Sequence, residues 1–383
     1  MPASIPIRRR SVLAIGGGLA ATLAFPAGQL FAETDMQRRF VFIIQRGAAD
    51  GLNTLIPFGD PALVQLRGRD AAMPDGLVKL DGTFALHPSL ANVAALYRKG
   101  EASFVHAVAS RYRERSHFDA QNLLENGASE PYARDDGWLN RLVGMIPATG
   151  PGGVAIAPVM PLALRGPASA TSFAPSYLHI GSSDVIARAG ELYASDPALA
   201  AAWQAAMATQ DLVPDGNEKD GPAALGKIAA GFLAKADGPR IAMLEIDGWD
   251  THLAQAPRLG GKLTQLDRMI AGLQEGLGTV WNDTVVVVAT EFGRTAAFNG
   301  TAGTDHGTGS VALLLGGAVR GGRIVSDWPG LRQQDLLEAR DLRPTMSLEN
   351  LIASAAAQTF GLDPERTGKT LFGTPATVDG LVA

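Results

Sequence analysis

The sequence predicts a three-layer α/β fold, in which helices cover both faces of a mostly parallel central sheet. Short apolar, β-branched segments recur along the chain, and they alternate with segments in which apolar residues have helical spacing. Thr284–Ala289 contains four consecutive valines and is the clearest central strand, because a strand buried on both faces is apolar throughout. These two observations favour βαβ connections over a bundle or a sandwich.

The first half of the chain contains four predicted elements. Arg39–Gln45 is predicted to be a buried parallel strand, and His87–Leu96 a helix with a proline near its first turn. Ala102–Val108 has the pattern of a second buried strand. A further helix is predicted to begin at Ser116 and to end near Gly127, since glycine favours helix termination.

The middle of the chain, residues 148–236, is predicted to be an insertion or cap rather than a separate domain. Its first part is rich in glycine, proline and alanine, and Val154–Ile156 and Leu162–Leu164 are predicted to be short strands. Ala189–Ala236 has a mostly helical pattern, with a polar break at Val213–Pro222.

The βαβ alternation returns in the last third of the chain. Arg240–Ile246 is predicted to be a strand and Leu263–Leu277 a helix. Val311–Leu315 is predicted to be another strand, and Leu348–Phe360 a closing helix.

Residues 1–32 have the pattern of an export signal. Arg9 and Arg10 precede Ser-Val-Leu, a short apolar stretch follows, and small residues near Ala32 permit cleavage. A membrane anchor is the alternative, but the apolar run is short and rich in glycine, alanine and threonine. We therefore expect recognition by the twin-arginine export machinery and a periplasmic or secreted protein, with residues 33–383 forming one large domain.

Composition excludes several classes of partner and ligand. The chain has no cysteine, so a metal ion would have to be held by oxygen and imidazole ligands. The net charge is −5 and no basic patch is present, which argues against nucleic acid as a partner. No second apolar run is long enough for a stable membrane span.

Acidic and histidine side chains follow the predicted strands. The carboxyl ends of parallel strands share one edge of a sheet, where their side chains would collect. Carboxylates and imidazoles held together need a positive charge between them, which a divalent cation supplies. Taken singly, each has a structural alternative as a turn residue, an ion pair or a loop histidine. The candidates are Asp50, Asp247, Asp250, His252, Glu291, Arg294, Asp305 and His306.

Ser116 is the candidate nucleophile. It begins a predicted helix, whose free amide groups favour an anion, and a nearby metal ion would lower the pKa of its hydroxyl. Arg113 and Arg115 flank it and are candidates to bind a phosphate or sulfate oxygen. Serine is also a common helix N-cap, which requires no catalysis.

Five motifs resemble those of domain-of-unknown-function family 1501, over nearly the whole chain after the signal. The resemblance implies an alkaline-phosphatase-like α/β fold, beside sulfatases and cofactor-independent phosphoglycerate mutases, and export by the twin-arginine route. The motifs are Gln45–Leu52, Arg115–Gln121, Gly248–His252, Thr290–Thr295 and Gly303–Gly307.

The resemblance also implies metal ligands. Asp50 matches an acidic ligand after the first strand, and Asp247 with His252 resembles a later ligand pair, although Asp250 is an alternative to Asp247. His306 resembles the last histidine ligand, which Asp305 assists.

One departure from the superfamily pattern concerns the second metal position. Glu291 stands where an aspartate is usual, and Phe292 stands where a histidine ligand is usual. The predicted cofactor is a divalent metal, namely calcium, magnesium, manganese or zinc. Loss of an imidazole favours the first three ions, and leaves a single-metal or degenerate site open.

Three functions follow from these residues. The first is an exported metal-dependent hydrolase of small anionic phosphate or sulfate esters, in which Ser116 attacks and Arg115 or Arg294 holds the anionic oxygens. The second is a non-catalytic periplasmic binding or assembly protein that retains the fold. A phosphomutase-like isomerase is disfavoured, because sugar-phosphate metabolism is cytoplasmic.

Overall fold

A computed structural model describes residues 37–69, 73–147, 150–175 and 221–383, together with a few residues between 188 and 204. The predicted export signal lies outside these residues. The strands are β1 (Arg39–Arg46), β2 (Leu55–Ile56), β3 (Val78–Lys79), β4 (Ala85–Leu86), β5 (Ala102–Ala109), β6 (Gly153–Ile156), β7 (Ala170–Phe173), β8 (Ile241–Asp247), β9 (Thr284–Thr290), β10 (Ser310–Leu315), β11 (Arg323–Val325) and β12 (Met346–Ser347). The α-helices are α1 (Gly51–Thr54), α2 (Ala62–Arg67), α3 (Ala91–Lys99), α4 (His117–Asn126), α5 (Trp138–Met145), α6 (Pro222–Leu233), α7 (Gln255–Leu277), α8 (Leu348–Phe360) and α9 (Pro364–Phe372).

The main sheet of this part of the chain has nine strands and is mostly parallel, as predicted. Its order is β11-β5-β10-β9-β1-β8-β6-β7, and β12 also pairs with β5. Strand β10 pairs antiparallel with β5 and β9, whereas the other pairings are parallel. A small second sheet contains β2, β4 and β3.

The residues of the central strand β1 alternate between two cores. Val41 and Ile43 face a core that also contains residues of α3, α6 and α7. Phe40, Phe42 and Ile44 face the opposite core, which includes residues of α5, α8 and α9. Successive side chains of a strand point to opposite faces, so a strand between two helical layers must be apolar throughout. The three-layer prediction is therefore confirmed.

The antiparallel strand β10 determines where its preceding loop lies. Strands β1, β8 and β9 end together, since Arg46 pairs with Asp247 and Gln45 pairs with Thr290. Because β10 runs in the opposite direction, it begins at this same edge, at Ser310. The loop before β10 therefore meets the loops that follow the three parallel strands.

Two local predictions are wrong. Leu162–Leu164 is a 3₁₀ helix rather than a strand; it follows Pro161, whose lack of an N–H group weakens strand pairing. The helix expected from His87 begins at Ala91, because His87 first forms a turn in which its Nδ1 accepts a hydrogen bond from the Ser89 amide at 3.1 Å.

The predicted insertion contributes directly to the main fold. Strands β6 and β7 extend one edge of the central sheet, and α6 packs on one of its faces. Most of residues 176–220 lie outside the described residues, so a cap there stays a prediction. Among the described helices, none has the length and apolarity that a membrane span requires.

A buried histidine on β5 predicts that acid destabilises the fold. Nε2 of His106 lies 2.8 Å from the carbonyl oxygen of Leu55, and burial lowers the pKa of His106 from 6.5 to about 4. The folded protein therefore keeps this ring neutral at a pH where the unfolded chain binds a proton. Between pH 7 and pH 5, His106 should reduce the free energy of unfolding by about 2 kcal/mol.

Urea unfolding of the wild type and of His106→Gln at the two pH values measures this effect. Other histidines reduce the free energy of unfolding equally in both proteins when the pH falls. The difference between the two proteins in the pH dependence of this free energy is therefore due to His106. An equal pH dependence in the two proteins would contradict the prediction.

Candidate metal centre

Three imidazole rings and one carboxylate meet at the carboxyl edge of the sheet. The Nε2 atom of His306 lies 3.0 Å from Nε2 of His117 and 3.0 Å from Nε2 of His252. Oδ1 of Asp250 lies 3.0 Å from Nε2 of His252 and 3.4 Å from Nε2 of His306. Its Oδ2 lies 3.5 Å from Nε2 of His117. We call these four residues the histidine cluster.

The other nitrogen of each ring faces an acceptor. Nδ1 of His117 lies 2.8 Å from Oε1 of Glu291, and Nδ1 of His252 lies 3.0 Å from Oδ1 of Asp305. Nδ1 of His306 lies 3.0 Å from the carbonyl oxygen of Arg115. A carbonyl or an ionised carboxylate only accepts hydrogen bonds, so each Nδ1 carries a proton. In a neutral ring, Nε2 then presents its lone pair to the cluster.

This arrangement fits a bound cation. With its proton on Nδ1, a neutral His306 donates no hydrogen bond from Nε2, and the Nε2 atoms of the neighbouring rings likewise present lone pairs. Ligand atoms of His117, Asp250 and His306 all lie within 4.8 Å of one another, close enough to share one ion. Metal-ligating histidines commonly hold their second nitrogen against a carboxylate or a carbonyl, as all three rings do here.

Glu291 supports the cluster from behind. It is fully buried, and its Oε1 accepts hydrogen bonds from the Gly47 amide at 2.8 Å and from Nε2 of Gln121 at 2.9 Å, in addition to His117. Burial alone would raise the pKa of Glu291, but the hydrogen bonds from His117, Gln121 and Gly47 lower it. The carboxylate therefore stays ionised and fixes the orientation of His117.

The charges around the cluster shift its own groups. Burial acts to lower the pKa of His117, but its hydrogen bond to Glu291 and the charge of that carboxylate raise it overall. Burial and the neighbouring His117 lower the pKa of His306. Burial acts to raise the pKa of Asp250, but the hydrogen bond from Arg294 and the charge of that guanidinium lower it overall.

Two close contacts between backbone segments place His306 in the cluster. Residues 293–295 form a β-bridge with the chain before β10, through Arg294 and His306, and the Gly307 amide donates to the Gly293 carbonyl at 2.8 Å. A Cβ atom at Gly293 would lie 1.9 Å from the Gly309 carbonyl oxygen, and one at Gly307 would lie 2.3 Å from the Arg294 backbone. Only glycine permits this approach.

The structure brings some of the predicted ligands to the cluster and places others elsewhere. Asp250, His252 and His306 belong to it, whereas Glu291 and Asp305 lie behind the rings as hydrogen-bond acceptors. Asp50 instead forms a buried ion pair with Arg67. Asp247 ends β8 with an exposed side chain and makes no hydrogen bond or ion pair with the cluster within the described residues.

The predicted anion-binding arginines are held by carboxylates. Arg294 is buried and donates to Oδ1 of Asp250 at 2.5 Å. Arg115 is paired with Oδ2 of Asp341 at 2.9 Å and with Oε2 of Glu338 at 2.7 Å.

Ser116 adjoins the cluster and makes no helix-capping bond. It is the N-cap residue of α4, yet its side chain accepts no hydrogen bond from the helix. The Arg115 carbonyl before it binds His306, and His117 after it belongs to the cluster. Arg115 has a φ of +61°, a left-handed conformation that is strained for a residue other than glycine. The capping role does not account for the Ser116 hydroxyl.

Sequence reasoning missed His117 as a member of the cluster. The residue lies within the motif that begins at Arg115, and its place beside the candidate nucleophile was the available signal. Phe292, at the position of an expected histidine, stacks on the His117 ring with the ring centres 4.8 Å apart. The cluster is rich in imidazole because His117 adds a ring from a segment other than that of Phe292.

The chain belongs to the family described as protein of unknown function (DUF1501), whose model matches residues 37–376. This confirms the family resemblance. A comparison with curated proteins found no significant match.

Several solved structures resemble this one at low identity. The Ps i-CgsB structure has 12% identity and a TM-score of 0.46, covering 88% of this chain and 74% of that chain. A magnesium-bound variant of TAB5 alkaline phosphatase has 12% identity and a TM-score of 0.38, with coverages of 75% and 94%. A putative sulfatase from Bacteroides thetaiotaomicron has 10% identity and a TM-score of 0.39, with coverages of 90% and 76%. Likenesses this low do not establish a shared activity.

A matched pair of aspartates tests the cluster. Asp250→Asn should lower the affinity for a divalent metal by about 10²-fold or more, because it removes a charged oxygen from the cluster. Asp247→Asn, three residues earlier and outside the cluster, should leave metal content unchanged. Elemental analysis of both variants, purified without chelator, provides the measurement. Equal metal loss in both variants, or in neither, would contradict the assignment.

Proposed function

We propose that this chain is an exported metal-dependent hydrolase of small phosphate or sulfate esters. The convergence of His117, His252, His306 and Asp250, with each Nδ1 held by an acceptor, carries the proposal. The cluster is also accessible, since the exposed fractions of its side chains range from 21% for His117 to 44% for His252.

The histidine cluster would hold one divalent ion. Imidazole nitrogens with a single carboxylate favour zinc over calcium or magnesium, which prefer oxygen ligands. Such an ion, when bound, polarises an ester oxygen and lowers the pKa of a neighbouring hydroxyl. Glu291, Asp305 and the Arg115 carbonyl keep the three rings in the orientation that binding requires.

Ser116 is the group that attacks. Its Oγ forms a bond to phosphorus or sulfur while the ester bond to the leaving oxygen breaks, and that oxygen takes up the proton that the Ser116 hydroxyl releases. Water then cleaves the ester formed on Ser116, which regenerates the hydroxyl. Free amide groups at the start of α4 stabilise the negative charge that develops there.

The two arginines act as positioning residues in this proposal. Arg294 fixes Asp250, and Arg115 ties the segment before Ser116 to Asp341, a fully buried carboxylate. The roles first expected for them, as direct anion ligands, are replaced by the backbone amides of α4.

The proposed location is the periplasm or the cell exterior, reached through the twin-arginine machinery. It is supported by the sequence pattern of residues 1–32, which places Arg9 and Arg10 before a short apolar stretch. The proposed substrate is a small anionic ester.

Ser116→Ala tests the nucleophile. With zinc or manganese supplied, hydrolysis of aryl phosphate and aryl sulfate esters should fall on the order of 10³-fold, while metal content stays unchanged. Ser116 makes no capping bond, but its side chain hydrogen-bonds Tyr112, so its loss should reduce the free energy of unfolding by no more than about 1 kcal/mol. Ser347 is the matched control, since its side chain caps α8 by accepting from the Asn350 amide at 3.2 Å. Ser347→Ala should cost about 1 kcal/mol of stability and leave turnover intact.

Two results would count against this role of Ser116. Unchanged turnover in Ser116→Ala removes the residue from the mechanism. A parallel loss of turnover and of metal content in Ser116→Ala would indicate a structural role instead.

The second candidate function is a non-catalytic binding or assembly protein with a structural metal ion. The commitment of Arg115 and Arg294 to carboxylates favours it, because it leaves neither guanidinium free for an anionic ester. Metal-loaded wild type that hydrolyses no ester, yet retains a stoichiometric partner in pull-down experiments, would support this candidate over the hydrolase.

A further inference from the structure

Arg67 is a fully buried cation with every donor occupied. It is the last residue of α2, and the exposed fraction of its side chain is 0%. Nη1 donates to Oδ2 of Asp50 at 2.5 Å and to Oδ1 of Asn53. Nη2 donates to Oδ1 of Asp50 at 3.2 Å and to the Thr295 carbonyl at 2.8 Å. Nε donates to the Ala296 carbonyl at 2.8 Å.

The guanidinium is therefore enclosed by oxygen atoms from two segments of the chain. One segment follows β1 and carries Asp50 and, in α1, Asn53, and the other follows β9 and presents two backbone carbonyls. Carboxylate, amide and backbone carbonyl oxygens are the ligands that hard metal ions such as calcium and magnesium prefer. The ring of Phe298 covers the group, with its centroid 5.1 Å from the guanidinium carbon. We call this surrounding the oxygen cage.

A hydrogen-bonded chain joins the oxygen cage to the histidine cluster. Nε2 of Gln255 donates to Oδ2 of Asp50 at 2.5 Å, and Oε1 of Gln255 accepts from Thr304 at 2.5 Å. The same Thr304 hydroxyl accepts from Nε of Arg294 at 3.0 Å, and Arg294 binds Asp250. The buried carboxylate of Asp50 is thus part of the same network as the cluster carboxylate of Asp250.

We propose that the Arg67 guanidinium is a built-in cation that fills a second cation position of this centre. The chain would then take up one exchangeable metal ion, at the histidine cluster, and none at Asp50. The expected number of bound metal ions rests on the proposed function.

The physical reason is the burial of Asp50. Its side chain is 1% exposed, and an isolated carboxylate removed from water to that extent strongly requires a compensating cation. A metal ion in the oxygen cage would supply this charge but could dissociate. A guanidinium attached to the chain supplies it permanently, and its five donors match the five oxygens around it.

Metal stoichiometry of the wild type tests the inference without any change at Arg67. Titration with manganese, followed by elemental analysis, should give one equivalent per chain, and Asp50→Asn should leave that equivalent in place. Two equivalents in the wild type, with one lost in Asp50→Asn, would show that Asp50 is a metal ligand and would overturn the proposal.

Cation rescue of Arg67→Ala tests the oxygen cage itself. The variant should melt roughly 10 °C below the wild type, because it leaves a buried carboxylate unpaired. Millimolar methylguanidinium or manganese should restore much of this loss, and manganese content should rise by one equivalent. Urea, which is uncharged and of similar shape to guanidinium, should restore nothing.

The double variant Arg67→Ala/Asp50→Asn is the matched control. It keeps the enlarged cage but removes its charge, so neither cation should raise its melting temperature. If folded Arg67→Ala is stabilised by neither cation and takes up no additional manganese, the proposal is overturned. If the single variant does not fold, the wild-type stoichiometry decides the question.

The two proposals fail in different ways. Metal-free wild type that stays empty after zinc or manganese is added would remove the proposed function. Cation rescue of Arg67→Ala would still establish the oxygen cage as a cation position, because that readout does not depend on the histidine cluster.

Discussion

The centre of this protein depends on the placement of three imidazole rings whose Nδ1 atoms are already occupied. Once Glu291, Asp305 and the Arg115 carbonyl hold those nitrogens, the three Nε2 atoms can only turn toward one another and toward Asp250. Lone pairs and a carboxylate at these distances repel unless a cation lies between them. The surrounding loops, the close glycine contacts and the strained Arg115 backbone all serve to keep this arrangement.

Three carboxylates in and around the cluster are each paired with an arginine. Asp250 is matched by Arg294, and the buried Asp50 is matched by Arg67. Asp341, also buried, is held by Arg115. Each arginine therefore neutralises a carboxylate at the sheet edge rather than standing free for a ligand. In the proposed function, the chemistry of the centre rests on the imidazole rings, the Ser116 hydroxyl and the helix amides beside it.

The fold and the family do not by themselves assign an activity. The family is described as a protein of unknown function, and the three solved structures compared above resemble this chain at identities of 10–12%. One fold hosts many chemistries, so a hydrolytic activity is proposed from the site and not from the fold. The site is distinguished by a cluster dominated by imidazole and by Ser116, which makes no capping bond. Ser116 lies between Arg115, whose carbonyl binds His306, and His117, which belongs to the cluster.

Hydrophobic patterning was enough to predict the layered α/β fold and the sheet edge at which the candidate site lies. Apolar runs such as Thr284–Ala289 identify central strands, and strand ends must share an edge, so Asp250, His252 and His306 could be placed together in advance. Side-chain packing in the folded protein was needed to separate the cluster residues from those that hydrogen-bond to them from behind. It showed that His117 enters from a helix start, that Glu291 stands behind it, and that Asp50 binds Arg67. These outcomes depend on which side chains meet across segments distant in the chain, and local sequence patterns carry no information about such contacts.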